Sequence, residues 1–364
     1  MFENSFNKFL FRFFPLPRFL AAPSFGLDIS DESLKFVELV MTKNGIRVKR
    51  YGERKILPGI IESGKIINPG KLKEILVSMR KEEGVKFVRV SLPEEQVYLF
   101  MLRLEKVGLK SIREGIELVL EENIPIAVEE AVFDFSILKE DEQGVEVQVV
   151  AAPRAVVENY LSVFRDSFMS VQSLELEAQA VARAVIKKDD METYMIVDFG
   201  KTRTGIAILS RGAVAFTSTL NVGGNLLDKM IQKNFGANVE DADKMKKQFG
   251  LQRNAENKEI FAVLLNSVSV LRDEIAKDLL YWNTHKGKEG ESHPTVKKII
   301  LCGGDANLLG LSEYLAISLK NKVEMANVWI NIAETEKYIP EISFGQSLTY
   351  ATAFGLALGN FEHD

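Results

Sequence analysis

Residues 26–39 read GLDISDESLKFVEL and residues 196–209 read IVDFGKTRTGIAIL, and the two stretches follow one plan. Each contains an apolar strand that ends near an Asp, a short polar turn and a second apolar strand. The two aspartates, Asp28 and Asp198, lie 170 residues apart (198 − 28). A hairpin of this kind brings backbone N–H groups and small hydroxyls close to an anion, and the Asp can hold a hydrated cation. The repeat therefore predicts two related lobes that hold a nucleotide between them.

A third element lies downstream. Residues 298–301 predict a buried strand that runs through Cys302 into Gly303 and Gly304, and a helical pattern follows over residues 309–319. Two adjacent glycines let the backbone come close to a flat ligand. The order of these elements, two phosphate hairpins followed by a strand, a Gly-Gly turn and a helix, resembles that of the actin-like ATPase superfamily.

Length, composition and charge exclude several classes of protein. The chain has 364 residues, of which 46% are hydrophobic and 27% charged, so it is long enough for two lobes with separate cores. A net charge of −5 argues against a nucleic-acid partner. The single Cys302 and the three dispersed histidines offer no disulfide and no metal-ligand spacing, which favours a reducing, cytoplasmic compartment. The sequence contains no apolar run of 18 or more residues, so it predicts no membrane-spanning segment.

Residues 1–20 form a basic, aromatic segment. They contain seven of the 23 phenylalanines and three cations against one Glu. A break at Pro15 and Pro17 argues against a signal peptide. Two interpretations stay open: a short helix that contacts a membrane surface or a partner, or a tail whose rings pack on the protein's own lobe.

Hydrophobic periodicity predicts the order of helices and strands. The first lobe begins with strands over residues 26–39 and 46–56, a turn at Asn44-Gly45, a helix over 69–80 capped by Asn68, and a strand over 85–92. An inserted β-α-β-β-α unit follows, with strands at 97–104, 132–139 and 145–152, a turn at Gln143-Gly144, and helices at 111–122 and 154–167. A helix over 174–186 leads to the second hairpin, and helices are predicted over 226–233, 240–247 and 259–282.

Over about residues 24–360 the chain resembles the family of the type IV pilus assembly protein PilM, in the FtsA-like branch of the actin-like ATPases. Besides the first hairpin, the matching segments are residues 222–225, residues 303–306 with 310–311 and 314–315, and the closing residues 350–359. The inserted unit also resembles the extra subdomain of PilM and FtsA. The resemblance implies an α/β fold, namely the actin-like two-lobe ATPase fold of duplicated ribonuclease-H-like domains.

The resemblance also implies a domain plan. The insert belongs to lobe one and a helical subdomain to lobe two. The expected units are a tail (1–23), the first part of subdomain IA (24–93), the inserted subdomain IC (94–170), the connecting helix of IA (171–194), the first part of IIA (195–228), the helical subdomain IIB (229–292), the second part of IIA (293–344) and a C-terminal helix that returns to IA (345–364).

The function implied by the resemblance is that of an ATP-binding protein in the inner-membrane assembly complex of a type IV pilus or a related secretion system. It would bind the cytoplasmic N-terminal tail of a PilN-like membrane protein and couple nucleotide state to the complex, with the pilus motor or other assembly proteins as further partners. This would hold it in the cytoplasm, at the inner face of the membrane. The alternative is an FtsA-like division protein that forms membrane-tethered filaments, with residues 1–20 as the tether. A sugar or acetate kinase is a third class, but no set of residues for one is found.

The implied cofactors are ATP and Mg²⁺, with Asp28 and Asp198 on either side of the metal, through water. Other implied cofactor-binding residues are Ser30, Ser33, Lys35, Gly200, Thr202 and Thr204 around the phosphates, Gly223, Gly224 and Asn225 under the phosphates or ribose, Asp243 and Lys246 at the ribose and base, and Gly303, Gly304, Asp305 and Asn307 near the adenine. Structural interpretations compete with these: Asx turns for the two aspartates, the start of a helix for Gly223 and Gly224, and a solvated helix face for Asp243.

Two positions depart from the family pattern, and only one residue is a candidate catalytic group. Ser30 stands where relatives usually have Gly, and Asp243 is one methylene shorter than the usual Glu. No His, Cys or carboxylate pair marks a base. Glu177 on the predicted helix 174–186 is the one acidic candidate, with Gln179 beside it to orient a water, although a solvated helix face is the favoured interpretation of Glu177. We therefore expect slow hydrolysis or none, with ATP acting as a conformational ligand.

Overall fold

The computed structural model describes residues 24–43, 45–105, 108–142, 144–252, 257–285, 292–332 and 339–361. The predicted tail of residues 1–23, the turn residues Asn44 and Gln143, and residues 286–291 of the solvated loop that the sequence predicts over 286–293 lie outside the described residues. Within the described ranges, no helix is both long and apolar enough to cross a bilayer.

The described part of the chain forms its helices and strands in two successive groups. The first group is β1 (Phe25–Ile29), β2 (Ser33–Thr42), β3 (Gly45–Lys55), β4 (Ile61–Glu62), β5 (Lys65–Ile66), α1 (Pro69–Glu83), β6 (Phe87–Leu92), β7 (Tyr98–Leu104), α2 (Leu109–Asn123), β8 (Ala131–Asp141), β9 (Gly144–Pro153), α3 (Arg154–Asp166), β10 (Ser170–Leu176) and α4 (Glu177–Val185). The second group is β11 (Tyr194–Phe199), β12 (Thr204–Ser210), β13 (Ala213–Leu220), α5 (Gly224–Phe235), α6 (Val239–Phe249), α7 (Lys258–Thr284), β14 (Lys298–Cys302), α8 (Leu311–Leu319), β15 (Val323–Met325), α9 (Phe344–Ser347) and α10 (Ala351–Leu358).

Local sequence signals fix the ends of helix α1. The Asn68 side chain accepts the N–H of Lys71 at 3.0 Å, and Pro69 occupies the first helical position, where its missing N–H costs nothing. The helix ends at Gly84, whose φ of 68° lies in the left-handed region that glycine adopts without strain. The predicted helix and its cap are confirmed, with an end a few residues later than expected.

The two lobes repeat one sheet topology. The strand order is β10-β6-β1-β2-β3 in lobe one and β13-β12-β11-β14-β15 in lobe two. In each sheet the first hairpin strand, β1 or β11, is central, with two antiparallel strands on one side and two parallel strands on the other. The duplicated α/β fold that the paired hairpins predict is confirmed.

The inserted unit forms a separate three-stranded sheet with its own core. The antiparallel strands lie in the order β7-β9-β8, and α2 covers one face. Ile112, Ile116 and Leu120 recur at the helical spacing of four, and they pack on alternate residues of β9, beginning with Val145 and Val147. The predicted β-α-β-β-α order is what the chain adopts. Strand β8 is left at the edge of this sheet.

One predicted element is wrong at its start. Residues 170–176 form strand β10, which pairs in parallel with β6 from Ser170 opposite Phe87 to Leu176 opposite Leu92. The predicted helix 174–186 therefore begins only at Glu177. The strand owes its conformation to a partner more than 80 residues earlier in the chain, and its mixed polar sequence carries no clear period-2 signal. As a result, Glu177 is the first residue of a helix.

The closing helix α10 packs on α4 and β1 of lobe one through direct backbone contact. A Cβ on Gly355 would lie 1.7 Å from the carbonyl oxygen of Ala180 in α4, and one on Gly26 would lie 2.0 Å from the carbonyl oxygen of Ala353. Only hydrogen fits at either position. Helices α4 and α10 thus cross at van der Waals distance, next to the strand that carries Asp28.

We predict that Gly355→Ala lowers the free energy of unfolding by about 3 kcal/mol, because the methyl group must push two backbones apart. Urea unfolding followed by circular dichroism measures the change. The matched control is Gly70→Ala in α1, where the nearest atom would be the Asn68 carboxamide oxygen at 3.6 Å. The control should leave stability unchanged or raise it by up to about 1 kcal/mol. Equal unfolding midpoints for the two variants would contradict the backbone contact.

Candidate functional site

A cleft of about 690 Å³ lies between the lobes, and the turns of both hairpins open onto it. Of the residues singled out in the sequence, it brings together Asp28, Ser30, Ser33, Lys35, Glu177, Asp198, Gly200, Thr202, Asp243, Gly303, Gly304 and Asp305. The cleft lining does not include Thr204, Gly223, Gly224, Asn225, Lys246 or Asn307.

The two aspartates occupy equivalent places. Asp28 faces Lys35 across its hairpin and Asp198 faces Gly205, seven residues later in each case (35 − 28 and 205 − 198). Each is the last but one residue of a central strand. The Oγ of Ser91 donates a hydrogen bond to Asp28 Oδ1 at 3.0 Å. Matching strands thus deliver two carboxylates to one cleft.

The first hairpin is closed by its own hydroxyl groups. The Ser30 N–H donates to the Ser33 carbonyl at 2.8 Å, and the Ser33 N–H donates to Ser30 Oγ at 3.2 Å. Lys35 Nζ donates to Ser33 Oγ at 2.7 Å, so its ammonium lies near the tip of the turn. The Ser30 side chain therefore stabilises the turn and also lines the cleft.

The second hairpin is held from behind by the start of helix α5. The Gly224 N–H donates to the Gly200 carbonyl at 3.0 Å, and the Asn225 N–H donates to the Lys201 carbonyl at 2.8 Å. A Cβ on Gly223 would lie 2.6 Å from that same Lys201 carbonyl oxygen. These residues support the turn, and their expected contact with phosphates or ribose stays a prediction.

Thr204 and Asn307 serve the scaffold. The Thr204 hydroxyl is buried and donates to the Val222 carbonyl at 2.6 Å, on the side of the hairpin that meets α5. Asn307 Nδ2 donates to the Gly345 carbonyl at 2.8 Å, which ties the turn after β14 to α9. Both side chains use their polar atoms away from the cleft, so neither geometry supports the predicted ligand contact.

The Gly-Gly turn after β14 lies directly against the second aspartate. Gly303 has a φ of 92°, and a Cβ there would lie 2.4 Å from Asp198 Oδ1. Both the conformation and the space require glycine. Gly303, Gly304 and Asp305 also line the cleft, and their expected place near the adenine stays a prediction.

Lys246 lies next to the Gly-Gly turn, with only 2% of its side chain exposed. Its Nζ is 2.6 Å from Asp305, 3.0 Å from Asp228 and 3.7 Å from Asp243. Burial alone would lower the pKa of the Lys246 ammonium, but the carboxylates of Asp305 and Asp228 outweigh it and raise that pKa. Lys246 therefore holds together α5, α6 and the Gly-Gly turn. The predicted contact with ribose or base is not what its ammonium makes here.

We predict that Lys246→Met lowers the free energy of unfolding by about 3–5 kcal/mol, because it leaves buried carboxylates without their cation. Lys247→Met is the neighbouring control: the Lys247 side chain is 71% exposed and contacts Asp243 at 2.6 Å. Its loss should cost less than about 1 kcal/mol. Denaturant titration of both variants tests the difference, and a Lys246→Met protein as stable as the control would refute the network.

Glu177 points into the cleft from the first turn of α4, so the favoured interpretation of a solvated helix face is wrong. Its Oε1 lies 3.4 Å from Arg203 Nη2. Burial raises the pKa of Glu177 well above its usual range; Arg203 opposes the shift and Asp28 adds to it. Gln179 lies on the other side of the helix, where its Nε2 donates to Gln148 Oε1 at 2.7 Å. Gln179 therefore cannot orient a water at Glu177.

Sequence reasoning missed Glu94 and Arg203. The Oε1 of Glu94 accepts the N–H of Ala178 at 2.8 Å and so caps the start of α4, while its buried Oε2 has no hydrogen-bond partner among the residues that the structure describes. Burial raises the pKa of Glu94 to about 8, and burial together with the charge of Asp28 raises the pKa of Asp198 to about 6. Glu94 follows the end of β6, a strand parallel to β1, and acidic residues at adjacent strand ends are a signal that could have revealed it.

Several buried carboxyl groups share this cleft, and their combined negative charge favours a bound cation. A hydrated Mg²⁺ suits this role, since carboxylate oxygens are its preferred ligands and it usually keeps several waters. Among the described residues, no group of three or more Asp, Glu, His or Cys side chains could hold a metal ion directly. The magnesium ion, and the expectation from the resemblance that Asp28 and Asp198 hold it through water, stay predictions.

A second cavity, of about 1120 Å³, lies beside the inserted unit; we call it the groove. The edge strand β8 forms one wall, and β10, α4 and the β12–β13 hairpin form the others. Ile137 and Leu138 of β8 are 42% and 38% exposed there. Helix α4 separates the two cavities, because Glu177 and Val181 line the cleft while Arg183 lines the groove.

Two copies of one sheet topology, each with an Asp-bearing hairpin on a shared cleft, define an actin-like protein with a two-lobe α/β fold. The chain belongs to the family of the type IV pilus assembly protein PilM, which it matches over residues 26–361. The family predicted from the hairpins, the Gly-Gly turn and the closing segment is confirmed.

Solved structures agree with this fold. The chain is similar to a PilM–PilN type IV pilus biogenesis complex, with a TM-score of 0.77 and 22% sequence identity, over 94% of this chain and 100% of that chain. It is also similar to MreB5 of Spiroplasma citri bound to AMPPNP, with a TM-score of 0.55 and 14% identity, over 91% of this chain and 93% of that one.

The chain is also similar to the cell division protein FtsA of Bacillus subtilis (strain 168). The two are 22% identical over 197 residues, which are 50% of this chain and 45% of that protein. The chain thus spans less than half the length of the curated FtsA relatives it matches. The similarity is consistent with the predicted FtsA-like branch of the actin-like proteins.

Proposed function

We propose that this chain is an ATP-binding component of the inner-membrane assembly complex of a type IV pilus or a related secretion system. It holds Mg²⁺ and nucleotide in the cleft and the cytoplasmic N-terminal tail of a PilN-like membrane protein in the groove. It would then lie in the cytoplasm, at the membrane through this partner. The observation that carries the proposal is the pairing of Asp28 and Asp198 on equivalent hairpins in one cleft, in a member of the PilM family.

The cleft suits a nucleotide in size and polarity. Its volume of about 690 Å³ lies in the range of small-molecule sites, and its hairpin end carries the ammonium groups of Lys35 and Lys201 beside backbone turns. Asp28 and Asp198 would hold Mg²⁺ through water, and the metal would neutralise phosphate charge. The backbone of Gly303 and Gly304, which carries no side chain, would let a flat base come close. One structural neighbour, MreB5, is a protein bound to AMPPNP, which supports the assignment.

We propose at most slow hydrolysis. Glu177 is the acidic group placed to meet a water at the phosphate end, but its Oε1 lies 3.4 Å from Arg203 Nη2, and Gln179 is bonded to Gln148 on the other side of the helix. A carboxylate that is paired with a guanidinium and has no second group to orient the water is a poor general base. ATP would then act mainly by fixing the angle between the lobes, as a ligand that favours one conformation.

The nucleotide site is tested by thermal unfolding. Mg²⁺ and ATP at a hundredfold excess over Kd should stabilise the protein by about 2.7 kcal/mol, which raises the midpoint by about 3 °C. Asp28→Asn and Asp198→Asn should abolish that rise, and Asp198→Asn should also raise the midpoint without ligand, because it removes a buried charge. The control is Asp273→Asn, a 65% exposed position that should keep the full shift. Equal shifts in all four proteins would refute the clamp.

The groove suits an extended peptide. Strand β8 lies at the edge of its sheet, so its outer N–H and C=O groups can pair with an added strand. The exposed side chains of Ile137 and Leu138 offer apolar contacts next to that edge. The structural neighbour with a TM-score of 0.77 is a PilM–PilN complex, which supports a PilN-like partner.

We predict that a synthetic peptide of a PilN-like N-terminal tail binds the chain and that Ile137→Asp weakens binding at least about tenfold, because the charge is placed at the apolar wall. Leu118→Asp is the control, since Leu118 is 84% exposed on α2 of the same inserted unit and does not line the groove. Fluorescence anisotropy measures both. Equal affinities would place the peptide elsewhere, and no binding to the unmodified chain would favour the FtsA-like division alternative.

A further inference from the structure

Arg203 of lobe two contacts three carboxylates of lobe one across the cleft. Its Nη1 lies 2.8 Å from Glu95 Oε1 and 3.9 Å from Asp31 Oδ1, and its Nη2 lies 3.4 Å from Glu177 Oε1. The arginine side chain is only 13% exposed. We call these three contacts the clasp.

The lobe-two side of the clasp is fixed by the turn that carries it. The Gly200 N–H donates to the Arg203 carbonyl at 3.0 Å, and the next residue, Thr204, pairs with Phe199 in the sheet. The Thr204 hydroxyl is tied to the Val222 carbonyl. The Arg203 backbone therefore has little freedom, and its side chain leaves a rigid turn towards the opposite lobe.

The lobe-one side is fixed as well. The Asp31 carboxylate accepts the N–H groups of Ser63 and Gly64, each at 3.1 Å, which anchors the turn of the first hairpin. Glu95 lies in the short turn after β6, and Glu177 is the first residue of α4. The three acceptors thus come from three separate elements, all attached to the sheet of lobe one.

We propose that Arg203 is a positioning residue that keeps the cleft closed over its ligand and holds the Glu177 carboxylate at the phosphate end. The inference rests on the proposed nucleotide site. A guanidinium suits this role because its planar fork reaches several carboxylates at once, whereas an ammonium is a single point charge.

A second contact between the lobes lies at the tip of the first hairpin. Asn225 Nδ2 of α5 donates to Glu32 Oε1 at 2.7 Å. The neighbouring turn residues Asp31 and Glu32 are therefore both held by lobe two. Release of a nucleotide requires the hairpins to separate, and that motion breaks the clasp. Arg203 should then slow dissociation more than it affects association.

The experiment measures the dissociation rate of fluorescent ATP analogue with Mg²⁺ by competition with unlabelled ATP. Arg203→Gln should release it at least about tenfold faster, and Arg203→Lys should fall between this variant and the unmodified chain. Glu95→Gln should also accelerate release, and the double variant should be no faster than Arg203→Gln alone, because both changes break one clasp.

Arg54→Gln is the matched control. Arg54 contacts Glu82 and Glu83 at 2.7 and 2.9 Å, but all three residues belong to lobe one. This variant loses an arginine and two charge contacts without touching the clasp, so its dissociation rate should equal that of the unmodified chain. A rate increase as large as that of Arg203→Gln would overturn the proposal.

A readout without nucleotide separates this inference from the proposed function. Spin labels on Lys71→Cys in lobe one and Lys233→Cys in lobe two report the distance between the lobes. Arg203→Gln should broaden that distribution towards longer distances, and Arg203→Lys should restore most of it. If the unmodified chain binds no nucleotide, the proposed function fails, while a broadened distribution would still support the clasp. An unchanged distribution in Arg203→Gln would overturn it.

Discussion

The structure depends on two like charges that the fold places in one cleft. Asp28 and Asp198 come from duplicated central strands, and burial together with the charge of Asp28 raises the pKa of Asp198 to about 6. Such a pair is unfavourable unless cations lie nearby. Lys35 and Arg203 lower the pKa of Asp198 and so compensate in part. The remaining demand for positive charge is what makes this cleft a site and distinguishes it from an ordinary gap between lobes.

Much of this could be predicted from local sequence. An apolar strand, an Asp and a polar turn, repeated after 170 residues, predict the two hairpins. The structure gives both aspartates the same register. The cap of α1 is likewise local, since Asn68 and Pro69 adjoin the helix they start. Features of this kind depend on neighbours within a few residues.

The features that the sequence did not predict depend on residues that are distant in the chain. Strand β10 forms because β6 lies beside it, and that pairing moves Glu177 to the start of a helix and into the cleft. Glu94 acquires its role from the N–H of Ala178, 84 residues away, and Lys246 from carboxylates on three segments. No pattern within the sequence records which distant groups will meet, so residue types were recognised more reliably than their contacts.

Helix α4 joins the two cavities physically. Its first residue lines the cleft, and Gln179 on its other side bonds Gln148 of the inserted unit, whose Nε2 also donates to the Val214 carbonyl of lobe two at 2.6 Å. The groove wall therefore includes parts of both lobes. A change in the angle between the lobes would alter the width of the groove as well as that of the cleft.

The burial of Lys246 also constrains how this sequence can diverge. One ammonium balances Asp228, Asp243 and Asp305, which lie on three different segments. A neutral side chain at position 246 would be tolerated only alongside neutral replacements at these aspartates. Related chains should therefore change these four positions together. Such covariation would identify relatives in which a different set of side chains joins α5, α6 and the Gly-Gly turn.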